Sequence, residues 1–400
     1  MTAADQPQPV SSTYKFSQPV SIPQSGGGTS ASAQFMEFDI EKMLLVAMAQ
    51  NVSDIHLRIG SPPMFRLGAD VVPTRFPVIT PESMRHIAQQ LIPERFKAKL
   101  KTSQDIDFGL TWQNQRLRVN LLYELGRIAF VIRLVTPKIP SLDSLHLPKV
   151  VKHFTELTSG LVLITGPTGS GKSTTMASII EEINQTSARH IITLEDPVEY
   201  VYRPKKSLIT QRQLEIDTES FALGIRQSLR QNPDVLLIGE LRDAKTAQQA
   251  MKAAETGILV FSTLHTPDAV QTINRVIHLF EPAERESVRG HLATVLKGVL
   301  SQRLYTNLQG GGRGAACEVI LVNATVQDYI IRNDIDTLYR LVDQSRMDDM
   351  QSLNSALYQL YANKRITQEE AIRLSNNPNN LRNRIQGVYH GTSAMEFSDF

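Results

Sequence analysis

The chain has 400 residues, 42 Lys and Arg against 40 Asp and Glu, a net charge of +2 and a single cysteine. That length is more than one ordinary hydrophobic core organises and predicts two or three folded units. The charge balance argues against a chain whose main work is coating nucleic acid, and the lone Cys317 excludes an internal disulfide framework or a Cys-rich zinc module and fits a reducing compartment.

Residues 1–35 carry two charges, Asp5 and Lys15, among many Pro, Gln, Ser and Gly. They hold too little apolar surface to offset their ordering entropy and are expected to form a disordered tail. Order is expected from about Met36. Over residues 38–49, Ile40, Met43, Leu44 and Ala47 recur at the spacing of an amphipathic helix. Residues 54–59 and 63–67 read as short strands parted by the turn signal Gly60-Ser-Pro-Pro. A helical stretch over 81–92 follows, then a hairpin of 115–122 and 127–135 divided by Glu124-Leu-Gly. Residues 36–136 are therefore expected to be an N-terminal α+β domain. Pro137, Pro140 and Pro148 punctuate a linker over 137–158.

From Gly160 onward short apolar strands at 161–165, 191–194, 235–239 and 259–263 alternate with helices, the pattern of a parallel α/β sheet in a core spanning 159–324. Beyond it the chain turns helical and polar, with periodic segments near 325–332, 348–362 and 367–375. A helical region over 325–380 and a flexible tail over 381–400 are expected. No apolar run approaches the roughly 20 residues of a membrane span, and the N-terminus lacks the basic start and apolar centre of a secretory signal. A cytoplasmic location is expected.

Gly166, Pro167, Thr168, Gly169, Ser170, Gly171, Lys172 and Ser173 fit the pattern of Gly, four residues, then Gly-Lys-Ser/Thr. The run follows an apolar strand and opens a segment in which Met176, Ile179, Ile180 and Ile183 recur at helical spacing. Glycines let backbone N–H groups converge on phosphate oxygens, and the helix N-terminus adds its positive dipole end. Lys172 is expected to reach the β and γ phosphates, Ser173 to offer its hydroxyl to Mg²⁺, and Thr174 to complete the nucleotide-binding run. ATP and Mg²⁺ are the implied cofactors.

Hydrolysis further needs carboxylates at the ends of neighbouring strands. Asp234-Val-Leu-Leu-Ile-Gly-Glu240 is a buried-type strand tipped by an acid, and residues 191–194 run into Glu195, Asp196 and Glu199. In open α/β sheets ligands bind beyond the carboxyl ends of the strands, where these groups fall. His265 closes a fourth strand, in Ser-Thr-Leu-His-Thr, and could contact a γ-phosphate. On their own, Arg118 and Arg133 read as outward strand residues, and Arg226 and Arg230, at helical spacing, as a basic helix face.

These elements together resemble the secretion and type IV pilus motor ATPases, whose Walker A, Asp box, Walker B and His box have this order and spacing. The likeness extends from Ser53-Asp-Ile-His-Leu and Pro62-Pro63 to Met350-Gln-Ser-Leu, so about residues 36–375 are covered. Within that family the retraction motors, the PilT/PilU type, are most similar, since extension and type II secretion relatives commonly carry a large extra N-terminal region and a four-cysteine zinc module. The resemblance implies an N-terminal α+β, PAS-like domain, then a RecA-like P-loop ATPase core with a parallel sheet and a helical C-terminal region. It implies a homohexameric ring that docks on an inner-membrane pilus platform protein from the cytoplasmic side. Residue by residue, it makes Lys172 and Ser173 phosphate and Mg²⁺ ligands, Glu195 the acid that orients or activates water, Glu240 the Walker B acid and Mg²⁺ ligand, and His265 the His-box residue. Arg118 and Arg133 match N-domain arginines that reach the γ-phosphate, and Arg230 is a further candidate for the nucleotide.

Two departures stand out: Val326-Gln-Asp-Tyr-Ile-Ile-Arg replaces the Ala-Ile-Arg segment usual in retraction motors, and Asn354 stands where Asp is frequent. An accessory paralogue working beside a principal retraction ATPase, or a nucleotide-binding regulator that hydrolyses little, is therefore an alternative to a pilus retraction motor. Pilus extension or type II secretion is a second alternative. A nucleic-acid translocase is a third, disfavoured by the charge balance, and no nucleic-acid partner is expected.

Overall fold

A computed structural model describes residues 38–387 apart from 69, 98–99, 101–102, 114, 136–138, 311 and 345–349. The N-terminal tail expected over 1–35, and the part of the expected C-terminal tail beyond 387, lie outside the described residues. The chain divides into two compact units, Met1–Thr136 and Pro137–Phe400.

In the first unit Asp39 caps α1 (Ile40–Ala49), its Oδ1 accepting from the Lys42 N–H at 2.9 Å, and Ile40, Met43, Leu44 and Ala47 form the buried face. Strands β1 (Asp54–Leu57), β2 (Met64–Leu67) and β3 (Asp70–Pro73) follow, then α2 (Pro81–Leu91) and the short α3 (Glu94–Lys97). The long strands β4 (Asp105–Trp112), β5 (Gln115–Glu124) and β6 (Arg127–Leu134) complete a six-stranded antiparallel sheet in the order β3-β2-β1-β6-β5-β4. Strand alternation divides β5 cleanly: Leu117, Val119 and Leu121 are buried, and Arg116, Arg118 and Asn120 occupy the opposite face. The sequence reading did not mark β3 and β4. The first is a four-residue edge strand with an almost wholly exposed pattern, and the second dilutes its apolar alternation with Asp105, Asp107 and Gly109.

The second unit opens with a 3-10 turn at Leu142–Leu145 and α4 (Val150–Glu156), then winds β7 (Gly160–Thr165), α5 (Lys172–Thr186), β8 (His190–Glu195), β9 (Leu208–Gln213), α6 (Phe221–Ser228), β10 (Val235–Ile238), α7 (Ala244–Glu255) and β11 (Leu259–Leu264). Helices α8 (Ala269–His278) and α9 (Arg285–Val295) lead to β12 (Leu296–Thr306) and β13 (Arg313–Leu321). The seven strands lie in the order β13-β12-β7-β11-β10-β8-β9, all pairs parallel except β12 with β13. Because both faces are covered, β7 is buried at every residue. Leu161 and Leu163 join one layer with Ala250, Met251 and Leu292, whereas Val162 and Ile164 join another with Ile179, Ile180 and Ile183 of α5. Cys317 is buried in β13, where burial pushes its thiol up to about 12, so it is an inert core residue.

Helices α10 (Ala324–Arg332), α11 (Ile335–Gln344), α12 (Leu353–Ala362), α13 (Gln368–Leu374) and α14 (Pro378–Ile385) finish the chain. The sequence reading placed a flexible tail from residue 381, and this is corrected: Leu381 is fully buried in a small cluster with Tyr305, Leu353, Leu357 and Leu374, which holds α14 in place. Strands β9, β12 and β13 and helix α11 were also not anticipated. For β12 the reason is that Lys297, Ser301, Gln302 and Arg303 interrupt the apolar pattern, although Gln302 and Ser301 are buried between two strands.

Candidate nucleotide site

The phosphate-loop run leaves β7 at its carboxyl end and enters α5 at Lys172. Gly166, Gly169 and Gly171 have φ of 140°, 79° and 89°, a region that favours glycine, and Gly171 is the residue before the first helical turn. A glycine-rich turn leading into the first turn of a helix is the arrangement in which main-chain N–H groups can meet an anion. Pro167, Thr168 and Gly169 are exposed at its rim, Ser170 and Lys172 are buried, and Ser173 is exposed. Thr174 Oγ1 lies 3.0 Å from the Tyr200 hydroxyl, which joins the first turn of α5 to the segment after β8.

Lys172 Nζ donates to the carbonyls of Gly166 at 2.8 Å and Pro167 at 3.0 Å and lies 3.4 Å from His265 Nδ1. Burial presses its pKa down, partly offset by the negative charges of Glu240 and Glu199. On the other side of the imidazole, His265 Nε2 is 3.6 Å from Glu240 Oε2, which also accepts from Arg242 Nε at 2.8 Å. Lys172, His265 and Glu240 thus form one line across the ends of β7, β11 and β10. The strand ends are tied by Thr263 Oγ1, which donates to the Gly239 carbonyl at 2.6 Å.

Glu195 ends β8, the next strand over. Its Oε1 accepts from Thr193 Oγ1 at 2.6 Å and Gln211 Nε2 at 3.2 Å. Burial pushes its carboxyl up, and these two hydrogen bonds only partly oppose the shift. A carboxylate of raised pKa is the stronger base.

Arg230 lies elsewhere. It sits in the 3-10 turn Leu229–Gln231, and the Gln231 carbonyl is 3.1 Å from Nδ1 of His190, the first residue of β8. A strand of that length spans roughly 20 Å, so the structure puts Arg230 at the amino end of the sheet and away from its own phosphate loop. The reason is the path of α6, which carries the chain back from the carboxyl edge before β10 begins.

Arg118 and Arg133 belong to the first unit, where β5 and β6 pair them directly. The same register continues through Asp54 of β1 to Arg66 of β2, giving one row across four strands. Arg133 Nε donates to Asp54 Oδ1 at 2.8 Å, Arg66 Nε is 3.7 Å from Asp54 Oδ2, and Arg118 Nε is 3.9 Å from Asp107 Oδ1. Burial pushes the Asp54 carboxyl up, but hydrogen bonds from Arg133 and Ser53 and the charges of Arg133 and Arg66 outweigh it and hold its pKa below the usual value. The Arg133 side chain stays 61 % exposed, so the end of its guanidinium remains available to an outside anion.

The model of the Type II/IV secretion system protein family matches residues 29–390. The chain belongs to that family. Among its relatives, the type IV pilus retraction ATPase PilT of Pseudomonas aeruginosa is 35% identical over 86% of this chain and 100% of its own length. The type IV pilus ATPase PilU of the same organism is 35% identical over 88% of this chain and 92% of its own length. A crystal structure of the pilus retraction motor PilT with bound ADP superposes with a TM-score of 0.80 and 40% identity, covering 86% of this chain and 99% of that one. The chain is thus a PilT/PilU-type member of the Type II/IV secretion system family, an ATP-hydrolysing, nucleotide-binding enzyme. Among the described residues no helix is long and apolar enough to cross a membrane.

Several groups were not singled out from the sequence: in the second unit Thr193 and Gln211, which hold Glu195, and Gln302; in the first unit Asp54, which holds Arg133. Asp54 and Thr193 lay inside motifs already marked. Gln302 had one legible signal, a Ser-Gln-Arg run inside an apolar strand pattern.

Proposed function

We propose that the chain is a Mg²⁺-dependent ATPase motor that powers retraction of a type IV pilus. The observation that carries this reading is the line of Lys172, His265 and Glu240 beside a phosphate loop, in a chain alike over nearly its whole length to retraction ATPases. Lys172 exchanges the loop carbonyls for β and γ phosphate oxygens. The loop N–H groups cradle the phosphates. Ser173 and Glu240 offer the hard oxygen donors that suit Mg²⁺, and the ion, when bound, neutralises charge on the phosphates. Glu195, a carboxylate of raised basicity held by two fixed donors, orients and deprotonates the attacking water. His265, touching both Lys172 and Glu240, registers the γ-phosphate. Arg118 and Arg133 meet the charge that develops on it, a role worth roughly 10³–10⁵ in rate in related sites.

The working form is a homohexameric ring on the cytoplasmic face of the inner membrane, docked on the pilus platform protein. Turnover in wild type and Glu240→Gln, with and without Mg²⁺, tests the chemistry: wild-type hydrolysis no faster than that of the variant defeats the motor. Gene deletion tests direction, since excess pili with lost twitching fits retraction and bald cells contradict it. Equal identity to PilT and to PilU sustains a second reading, an accessory paralogue beside a principal retraction ATPase. In that case deletion leaves twitching reduced rather than abolished.

A further inference from the structure

Beyond the phosphate loop's own residues, one side chain from a distant strand is built into it. Strand β12 runs parallel to β7 with Leu300 opposite Ile164 and Ser301 opposite Thr165, so Gln302 stands level with Gly166, where the loop leaves the sheet. Gln302 is 1% exposed. Its Nε2 donates to the Ser170 carbonyl at 2.6 Å, buried from water. Its own main-chain carbonyl lies 2.4 Å from where a Cβ on Gly166 would stand, and its Nε2 lies 3.0 Å from the equivalent point at Gly171. The loop is therefore wrapped about this one residue at three places, Gly166, Ser170 and Gly171. The first and last are glycines whose missing side chains make room for it.

Two further observations set Gln302 apart from ordinary core filling. Among the described residues its Oε1 and the Ser170 hydroxyl are both buried without a hydrogen-bond partner. An apolar side chain would fill the same space without stranding an acceptor, so packing alone does not account for an amide here. The next residue, Arg303, points to the other side of the strand and donates to the Pro267 carbonyl at 3.3 Å, two residues beyond His265, and to the Leu374 carbonyl and Asn376 Oδ1 between α13 and α14. One stretch of β12 thus holds the phosphate loop with Gln302 and is itself held with Arg303.

We propose that Gln302 is a positioning residue of the nucleotide site, whose hydrogen bond to the Ser170 carbonyl fixes the phosphate loop in its anion-binding curve. This rests on the reading of the loop as a nucleotide site. It adds a residue that acts through the loop backbone and touches no substrate. Losing the bond lets the Ser170 peptide rotate, so the N–H groups of the loop no longer converge.

The test is ADP affinity, measured by titration calorimetry on the full chain, together with steady-state ATP hydrolysis and the nucleotide-free melting temperature. Gln302→Met keeps the length of the side chain and removes the donor, and Gln302→Asn keeps an amide too short to reach Ser170. Both are expected to raise the ADP Kd and the ATP KM about tenfold, the effect of one buried hydrogen bond, with kcat within threefold of wild type and a lower nucleotide-free melting temperature, because the Ser170 carbonyl is left buried and unpaired. A role in packing alone would lower the melting temperature of Gln302→Asn while leaving ADP affinity at the wild-type value in both variants, and this result overturns the proposal. If Gln302→Met does not fold, Gln302→Asn carries the test. Wild type that fails to bind ADP defeats the nucleotide reading itself, whereas wild type that binds and variants that bind equally well defeat only the role of Gln302.

Discussion

The phosphate loop of the second unit and the arginine row of the first are built in opposite ways. The loop is made of main chain: three glycines at positive φ, the N-terminus of α5, and Lys172 folded onto the loop's own carbonyls. The row is made of side chains, Arg66, Asp54, Arg133 and Arg118, aligned only because four strands share a register. In the loop, orientation is set by chain geometry. In the row it depends on Asp54, whose carboxylate is shared between two guanidinium groups. Asp54 is buried while the Arg133 side chain stays exposed, so the Asp54 carboxylate both contributes to the fold and aims Arg133.

The sharpest way to break that contrast is to remove the row. If, as proposed, the row acts on charge that appears at the γ-phosphate, Arg133→Ala and Arg118→Ala should each lower turnover about 10³-fold while ADP affinity stays within about twofold of wild type. If ADP affinity fell in step with turnover, the row would be a ground-state binder like the loop and the contrast would collapse.

Two buried carboxyls carry the contrast into pH. Glu318 is held mainly by main-chain N–H groups, those of Ala269 at 2.6 Å and Leu353 at 3.3 Å, and burial pushes it up to about 7 despite them. Asp54, held by arginines, is shifted the other way. The folded state therefore keeps a proton on Glu318 that the unfolded chain gives up near 4.5, so this contribution to stability is complete below 4.5 and fades as pH rises through 7. The loss should be about 3 kcal/mol, seen as a falling denaturation midpoint across that window and flattened in Glu318→Gln. Asp54 contributes with opposite sign: its part is present above its unfolded value of 3.8 and lost as pH falls below it. A midpoint that does not fall between pH 4.5 and 7 would show that Glu318 titrates like an ordinary surface acid.

Lys172→Ala addresses the loop itself. Removing one charge-assisted partner of the phosphates should raise the ADP Kd by about 10²-fold, equivalent to about 2–3 kcal/mol, whatever the state of the arginine row. The smallest effect belongs to Asp54→Asn. The amide keeps the shape and drops the charge, so Arg133 is aimed less firmly, and turnover should fall about tenfold with ADP affinity unchanged and the melting temperature lowered by the loss of a buried, paired carboxylate. A loss of thermal stability without a loss of rate would reassign Asp54 to the fold.

Much of the second unit's site could be read in one dimension because its parts are local. A phosphate loop needs its glycines, lysine and serine in consecutive positions, and the carboxylates and His265 each follow a buried strand directly. Arg118 and Arg133 were marked only by family likeness, and nothing along the chain says that residues 54, 66, 118 and 133 share a row. Arg230 was named by family likeness, and its place at the amino end of the sheet could not be read from helical spacing.

The sequence by itself determined the order of domains, the phosphate loop and the acids at the strand ends, because strand periodicity and loop chemistry are short-range properties of the chain. Only the tertiary structure decided that Gln302 lies under the loop, that Asp54 holds Arg133, that Leu381 anchors a last helix and that the turn carrying Arg230 lies at the amino end of β8. Each of these depends on which strands and helices become neighbours, and that is fixed by burial and hydrogen-bond register across the whole sheet, not by any local pattern.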